Sequence, residues 1–525
     1  MVRFKDEYWL FASKSGGYWH SRDMSTWTFV APEGLPLEDY APTAEVIGGK
    51  VYLTAGSSKG IFTTEDPAIG KWTKAATVPS YSDPDIFADD DGHVYMYWGC
   101  APKGPLHGVE LDPKNGFAEV GKPVALCSAD PLHHGWELKD LLLDDAQVLL
   151  SHKNPYFEGS WMTKHNGTYY LQYACPGTEL RWYADGVYTS EHPLGPFHYA
   201  PYSPVALKPA GFICGTGHGS TFQDGAGHYW HIDSAIIGKR HMFERRLALF
   251  PAGFVANGSQ PDEMVCQTYL CDYPQYLPGE SPDPLKANRP AWMLLSYNKT
   301  ATASSTLSGF PVGNAFDEDI STWWSAATGN AGEWLCVDLG KRCEIDAMQM
   351  NFADQGSTTM GRPGIDPYRY TVEVSDDGKN WTPCISRKDN DRDAPHEYVQ
   401  LDSPVMARYV RLTNIHTPGG ASFSVSGFRI FGSGLGKAPQ EAQGVSAQRL
   451  TNRRLAKVTW QPVAGADFYI VRYGIGRDRL YLNHQVHGRN DLDLSGLNTD
   501  GDYYVAVDAV NDSGIAMGTQ VAPVK

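Results

Sequence analysis

Gly49-Lys50-Val51-Tyr52-Leu53 and Gly92-His93-Val94-Tyr95-Met96 are two copies of one phrase, a turn followed by a run rich in aromatic and aliphatic side chains. The phrase occurs earlier as Lys5-Asp6-Glu7-Tyr8-Trp9-Leu10. It returns as Gly167-Thr168-Tyr169-Tyr170-Leu171 and as Gly227-His228-Tyr229-Trp230-His231. A turn residue followed by β-branched and aromatic residues is a hairpin signal. The anchors Tyr8, Tyr52, Tyr95, Tyr169 and Tyr229 are separated by 44, 43, 74 and 60 residues, so the later units carry longer loops. Self-similarity at such a period marks a repeat architecture. Five all-β units of this size predict a five-bladed β-propeller over residues 1–273.

The 525 residues leave room for three or four domains at about 150 residues each. Gly (54), Pro (35) and the aromatics favour many short strands, and no long amphipathic helical pattern is present. The formal net charge of −16 argues against nucleic acid or an anionic membrane as the main partner, while a neutral partner such as sugar is compatible with it. No apolar run reaches the ~18 residues of a membrane span. No signal peptide is visible, and Met1 falls inside a strand-like pattern, so the natural N-terminus is expected upstream of it. The nine cysteines form no zinc-like pairs. Cys266 and Cys271 are spaced for a local disulfide; the alternative is that all nine are small buried hydrophobes.

Beyond the repeats, residues 274–290 are rich in Pro and read as a semi-rigid linker. Residues 291–432 form a second all-β unit with Asn314-Ala315-Phe316-Asp317, Thr322-Trp323-Trp324-Ser325, Glu333-Trp334-Leu335-Cys336-Val337-Asp338-Leu339-Gly340 and Ala407-Arg408-Tyr409-Val410-Arg411-Leu412. This unit resembles the discoidin-type jelly-roll sandwich, a relative of the family 32 carbohydrate-binding modules. After a linker at 433–441, residues 442–525 carry Val458-Thr459-Trp460 and Tyr503-Tyr504-Val505. They resemble a fibronectin type III, immunoglobulin-like sandwich, with Trp460 and Tyr504 expected in its core and a role as spacer.

In a propeller the innermost strand of each blade lines the central channel. Counting back from the Tyr anchors finds Asp83, Glu158 and His218 at offsets of 12, 11 and 11, with Ala41-Pro42 in the equivalent place before Tyr52. Two carboxylates and a histidine are thus expected to converge from three blades. Here Ser82-Asp83-Pro84-Asp85-Ile86-Phe87, Tyr40-Ala41-Pro42, Phe157-Glu158-Gly159 and Gly217-His218-Gly219-Ser220 resemble, in order, the motifs of family 43 glycoside hydrolases. The resemblance implies Glu158 as general acid, Asp83 as the residue that orients it and modulates its pKa, and His218 on the channel axis close to a bound calcium. It also implies inversion at the anomeric carbon, which needs a second carboxylate as base roughly 6.5–9.5 Å away. The family's base position falls upstream of Met1, so the chain as given is expected to hydrolyse poorly. Asp85 is the alternative to Asp83. Asp89, Asp90 and Asp91 read as turn formers. Trp98, Trp161 and Tyr40 are candidates to contact sugar, with packing as the rival role for the tryptophans.

In the second unit Asp317, Asp319 and Thr322 resemble a calcium-binding loop, although the Glu that related modules add near the last strand is Gly427 here. The expected function is an exo-acting α-L-arabinofuranosidase or β-xylosidase acting on polysaccharide side chains. The alternatives are a β-galactofuranosidase and a non-catalytic glycan-binding propeller. The fructosidase motifs are not found. The module set implies a secreted, periplasmic or cell-surface protein.

Overall fold

The computed structural model describes residues 1–35, 40–143, 155–237, 244–277, 285, 290–357 and 366–525. Most of the expected linker at 274–290 lies outside them. Each repeat phrase forms the second strand of its own antiparallel sheet, four-stranded in four blades and six-stranded in the fourth, where two short extra strands join. Those second strands are Glu7–Phe11, Lys50–Thr54, Val94–Trp98, Thr168–Cys175 and Tyr229–Ile236. The first strands are Val2–Phe4, Thr43–Ile47, Asp85–Ala88, Tyr156–His165 and Cys214–Gln223. Each touches the next, and the fifth touches the first, so five blades close a ring around one axis. Closure leaves no open edge on the inner strands.

Side chains tie the blades together. Asp85 is buried, accepts the Thr43 hydroxyl at 3.2 Å from blade two and accepts the Met162 N–H at 2.7 Å from blade four. Burial pushes its pKa up to about 8. Asp89 is also buried. It pairs with Lys164 at 2.6 Å and accepts the Tyr169 hydroxyl at 2.5 Å, so it joins blades three and four as well as shaping a turn. All nine cysteines are free, Cys266 and Cys271 included.

The second unit is one eight-stranded antiparallel sheet system built from strands between Met293 and Ser433, with Trp324, Phe423 and Phe428 fully buried in its core. The third unit packs two sheets. One holds Ser446–Arg449, Ala456–Thr459 and Asp491–Leu494; the other is led by Leu482–His487, Phe468–Gly474 and Tyr504–Asn511. Trp460 is buried as expected, but Tyr503, not Tyr504, fills the core. Tyr504 is half-buried under Arg477.

The expectation of a spacer is corrected by how this last unit sits. Its core is continuous with that of the propeller: Trp136 and Tyr173 share one apolar cluster with Val458, Trp460 and Leu497. Asn498 donates to the Ser203 carbonyl at 3.0 Å, Arg454 to the Leu132 carbonyl at 2.8 Å, and Tyr269 to Asp508 at 3.0 Å. A spacer has no such shared core. The second unit is locked to the propeller as firmly. Arg429 is buried, pairs with Glu318 at 2.9 and 2.8 Å and also donates to the Asp272 carbonyl. Gly427 explains its own departure from the expected Glu: a Cβ there would stand 2.4 Å from the ring of Phe212.

Candidate active site

Three of the sequence-predicted positions meet. Asp83, Glu158 and Cys100 each present a ligand atom within 4.8 Å of the other two, and His218 Nδ1 stands 3.8 Å from Asp83 Oδ2. The backbone is bent to make this possible. Asp83 and His218 take left-handed φ values of 47° and 62°, and Ala41, the equivalent position in blade two, has 50°. Such values are uncommon for residues with a side chain and gather at functional sites. Gly159 follows Glu158 at φ 66°, and a Cβ there would lie 2.9 Å from the His218 ring, so only Gly lets the two blades close up.

Both Glu158 oxygens are engaged. Tyr183 donates to Oε1 at 2.6 Å and the Cys100 thiol to Oε2 at 3.1 Å. Burial, then the charges of Asp83 and Glu158, push the Cys100 thiol far up, so it stays an S–H donor. Burial likewise pushes Tyr183 well up. Ser160 donates to the Asp83 carbonyl at 3.0 Å and fixes the bend from the neighbouring blade.

Behind His218 lies a second cluster that is sealed from solvent. Asp185 accepts the His218 N–H at 2.8 Å and the Gly219 N–H at 2.9 Å. His231 Nε2 is 3.2 Å from Asp185 and 3.1 Å from Asp233, and all three side chains are at most 1% exposed. Burial opposes charge on His231, but Asp233 and Asp185 outweigh it and hold its pKa well above the ordinary range. Burial, then the charge of Asp185, pushes Asp233 up to about 7.

The other expected positions are distributed as follows. Tyr40, Trp161 and His218 line the large cleft that opens beside the cluster. Trp161 donates to the Thr221 carbonyl at 3.0 Å, and Lys14 covers the Tyr40 ring at 4.7 Å. Trp98 packs elsewhere: it stacks on His107 at 5.4 Å, touches Tyr81 at 4.7 Å and lies outside the cleft lining. In the second unit Asp317 accepts the Thr322 hydroxyl at 2.6 Å, while Asp319 pairs with Arg181 of the propeller at 3.0 Å. A guanidinium thus stands where a dication would need Asp319. Calcium takes oxygen ligands; Asp319 is committed to Arg181, and the cluster at Asp83 adds a thiol to its two carboxylates, so neither donor set is made for that ion. Trp324 is core, and Trp323 stacks on Phe310 at 5.2 Å.

Cys100, Tyr183, Asp185, His231 and Asp233 were not singled out by the sequence reading. Cys100 lies just beyond the second strand that ends at Trp98, Asp185 lies in the third strand of its blade, and His231 and Asp233 lie in a second strand, where no repeated offset marks them.

The family described as glycosyl hydrolases family 43 matches residues 1–259, and that described as F5/8 type C domain matches residues 300–426. The propeller is a family 43 glycosyl hydrolase domain. The second unit is an F5/8 type C, discoidin-like domain. Among curated proteins, the family 43 domain is similar to "Xylosidase/arabinosidase 43A" of Humicola insolens, with 31% identity over 188 residues, covering 30% of this chain and 56% of that one. It is similar to "Beta-xylosidase" of Xylanibacter ruminicola, 33% identical over 25% of this chain and 42% of that one. It is similar also to "Xylosidase/arabinosidase" of Bacteroides ovatus, 32% identical over 23% of this chain and 40% of that one. The chain therefore spans about half the length of the curated relatives it matches. No helix among the described residues is long and apolar enough to cross a membrane.

Proposed function

We propose that the chain is an inverting, exo-acting glycoside hydrolase that removes arabinofuranosyl or xylosyl units from polysaccharide side chains. The observation that carries this reading is the meeting of Asp83 and Glu158, with His218 beside them, where three blades converge. Glu158 donates a proton to the glycosidic oxygen as the sugar leaves. Tyr183 fixes one carboxyl oxygen and Cys100 touches the other, so the acid is held in one orientation. Asp83 lies beside the acid, with a carboxylate oxygen within 4.8 Å of it, and orients it in the cluster. His218 and Trp161 form the adjoining wall. An inverting reaction also needs a carboxylate to activate water across the ring; the reading assigns that role to none of the described residues. The names of the relatives favour pentose substrates. Secretion belongs to the proposal, because a sugar polymer is an extracellular target.

The test uses nitrophenyl α-L-arabinofuranoside, β-D-xyloside and β-D-galactofuranoside, each with and without azide. Azide can attack the anomeric carbon without a protein base. Turnover of one pentoside, lost in Glu158→Gln by at least about 100-fold, supports the reading. Silence toward all three substrates, with azide present, together with retained binding of oligosaccharide, would turn the assignment to a glycan-binding propeller.

A further inference from the structure

The cleft beside the active site is far larger than one sugar requires. It measures about 2050 Å³, against roughly 300–1,000 Å³ for a small-molecule pocket. Its lining starts on the propeller at His218 and Trp161, crosses Tyr276 of the connecting segment, and continues onto the discoidin-like domain at His396, Tyr398 and Gln400. Tyr276 is 52% exposed and Tyr398 44% exposed. Two tyrosines from two parts of the chain thus expose large side-chain surface along one groove. Exposed aromatics gathered in a concavity mark a binding surface rather than ordinary surface scatter.

The two walls do not slide. The Arg429–Glu318 pair with the Asp272 carbonyl, and the Gly427 contact with Phe212, fix the discoidin-like domain against the propeller. A groove set between locked walls is already formed before a ligand arrives.

We infer that this groove is an accessory subsite track for an uncharged polysaccharide, running from the sugar beside Glu158 out to Tyr398 of the discoidin-like domain. Tyrosine suits that ligand. Its flat face packs on the C–H face of a sugar ring while its hydroxyl stays in water or bonds a sugar hydroxyl. His396 and Gln400 offer further donors and acceptors between the rings. The net charge of −16 disfavours a polyanionic chain such as a polyuronate. The discoidin-like domain then acts as one wall of the hydrolase groove rather than as an independent tether. The end of the track at Glu158 rests on the proposed hydrolase reading; binding along the groove does not.

The experiment uses the full chain with Glu158→Gln, so that polymer survives, and soluble arabinoxylan as the probe in affinity electrophoresis. Tyr398→Ala and Tyr276→Ala are each expected to weaken binding about five- to tenfold, and Tyr398→Phe to restore it because the ring is kept. Trp323→Ala, on the separate Phe310 stack, is expected to change nothing. Binding that is absent in the parent, insensitive to both tyrosines, or lost only with Trp323→Ala overturns the inference. Binding that depends on Tyr398 in a chain with no turnover would sink the hydrolase reading and leave this one standing. Turnover on nitrophenyl pentosides without tyrosine-dependent polymer binding would do the reverse.

Discussion

Two acidic clusters stand back to back across His218, and they solve opposite problems. In both, two carboxylates and a third polar side chain crowd within 4.8 Å. Asp83, Glu158 and Cys100 open toward solvent, and the Glu158 oxygens take donors from two side chains, a phenol and a thiol. Asp185, His231 and Asp233 are closed off, and Asp185 spends both oxygens on consecutive backbone N–H groups. The difference separates chemistry from scaffolding. An acid that must give up a proton needs access to the cleft and donors that orient it. A carboxylate that must hold a left-handed turn needs fixed donors and no water. The same residue types at the same spacing thus do different work, and burial decides which.

The largest expected effect tests that division by stability. Asp185→Ala leaves two N–H groups unpaired and strands His231 beside one carboxylate, so it should cost about 3–5 kcal/mol, the scale for breaking a buried charge pair. Asp83→Ala, on the open side, should cost about 1 kcal/mol or less. Denaturant midpoints followed by tryptophan fluorescence read both; equal losses would erase the distinction. The next effect reverses the order. Asp83→Asn should lower turnover of the preferred nitrophenyl pentoside by about 100-fold with an unchanged midpoint. A loss of turnover that merely follows a loss of folded protein would make Asp83 a structural residue.

The sequence made the blades legible because each second strand repeats one hydrophobic phrase that needs no tertiary context. The inner-strand residues were legible for a related reason: Asp83, Glu158 and His218 sit at a near-constant distance before each Tyr anchor. Cys100 and Tyr183 reach Glu158 from just after a second strand and just before a third, and Asp185 reaches the back of His218 from that third strand, through registers set by bulges and loop lengths that differ from blade to blade. The β-bulges in the sheets carrying Glu158 and His218 are examples. The docking of the last domain was hidden as well. Its buried faces alternate as in any sandwich, and nothing in Trp136 or Leu497 alone says that they share a core. Trp98 shows the converse, an aromatic suited by type to a sugar platform but taken by its neighbours Tyr81 and His107.

The smallest effect sharpens the comparison through pH. Asp233 is held at about 7 in the folded chain, against 3.8 for an ordinary Asp. Unfolding lets it ionise, so between these values the unfolded state has released a proton that the folded state keeps. Stability from this group is therefore fully present below about pH 4, falls as pH rises toward about 7, and is flat beyond. Asp233→Asn removes the titration while keeping the side chain's shape. Its stability should decline less than the parent's between about pH 5 and about pH 8, by about 1–2 kcal/mol, given about 1.4 kcal/mol per pKa unit and the loss of attraction to His231. If the variant's stability declines as steeply as the parent's, Asp233 holds no such proton, the sealed cluster is not sealed, and water reaches the residues that hold His218 in place.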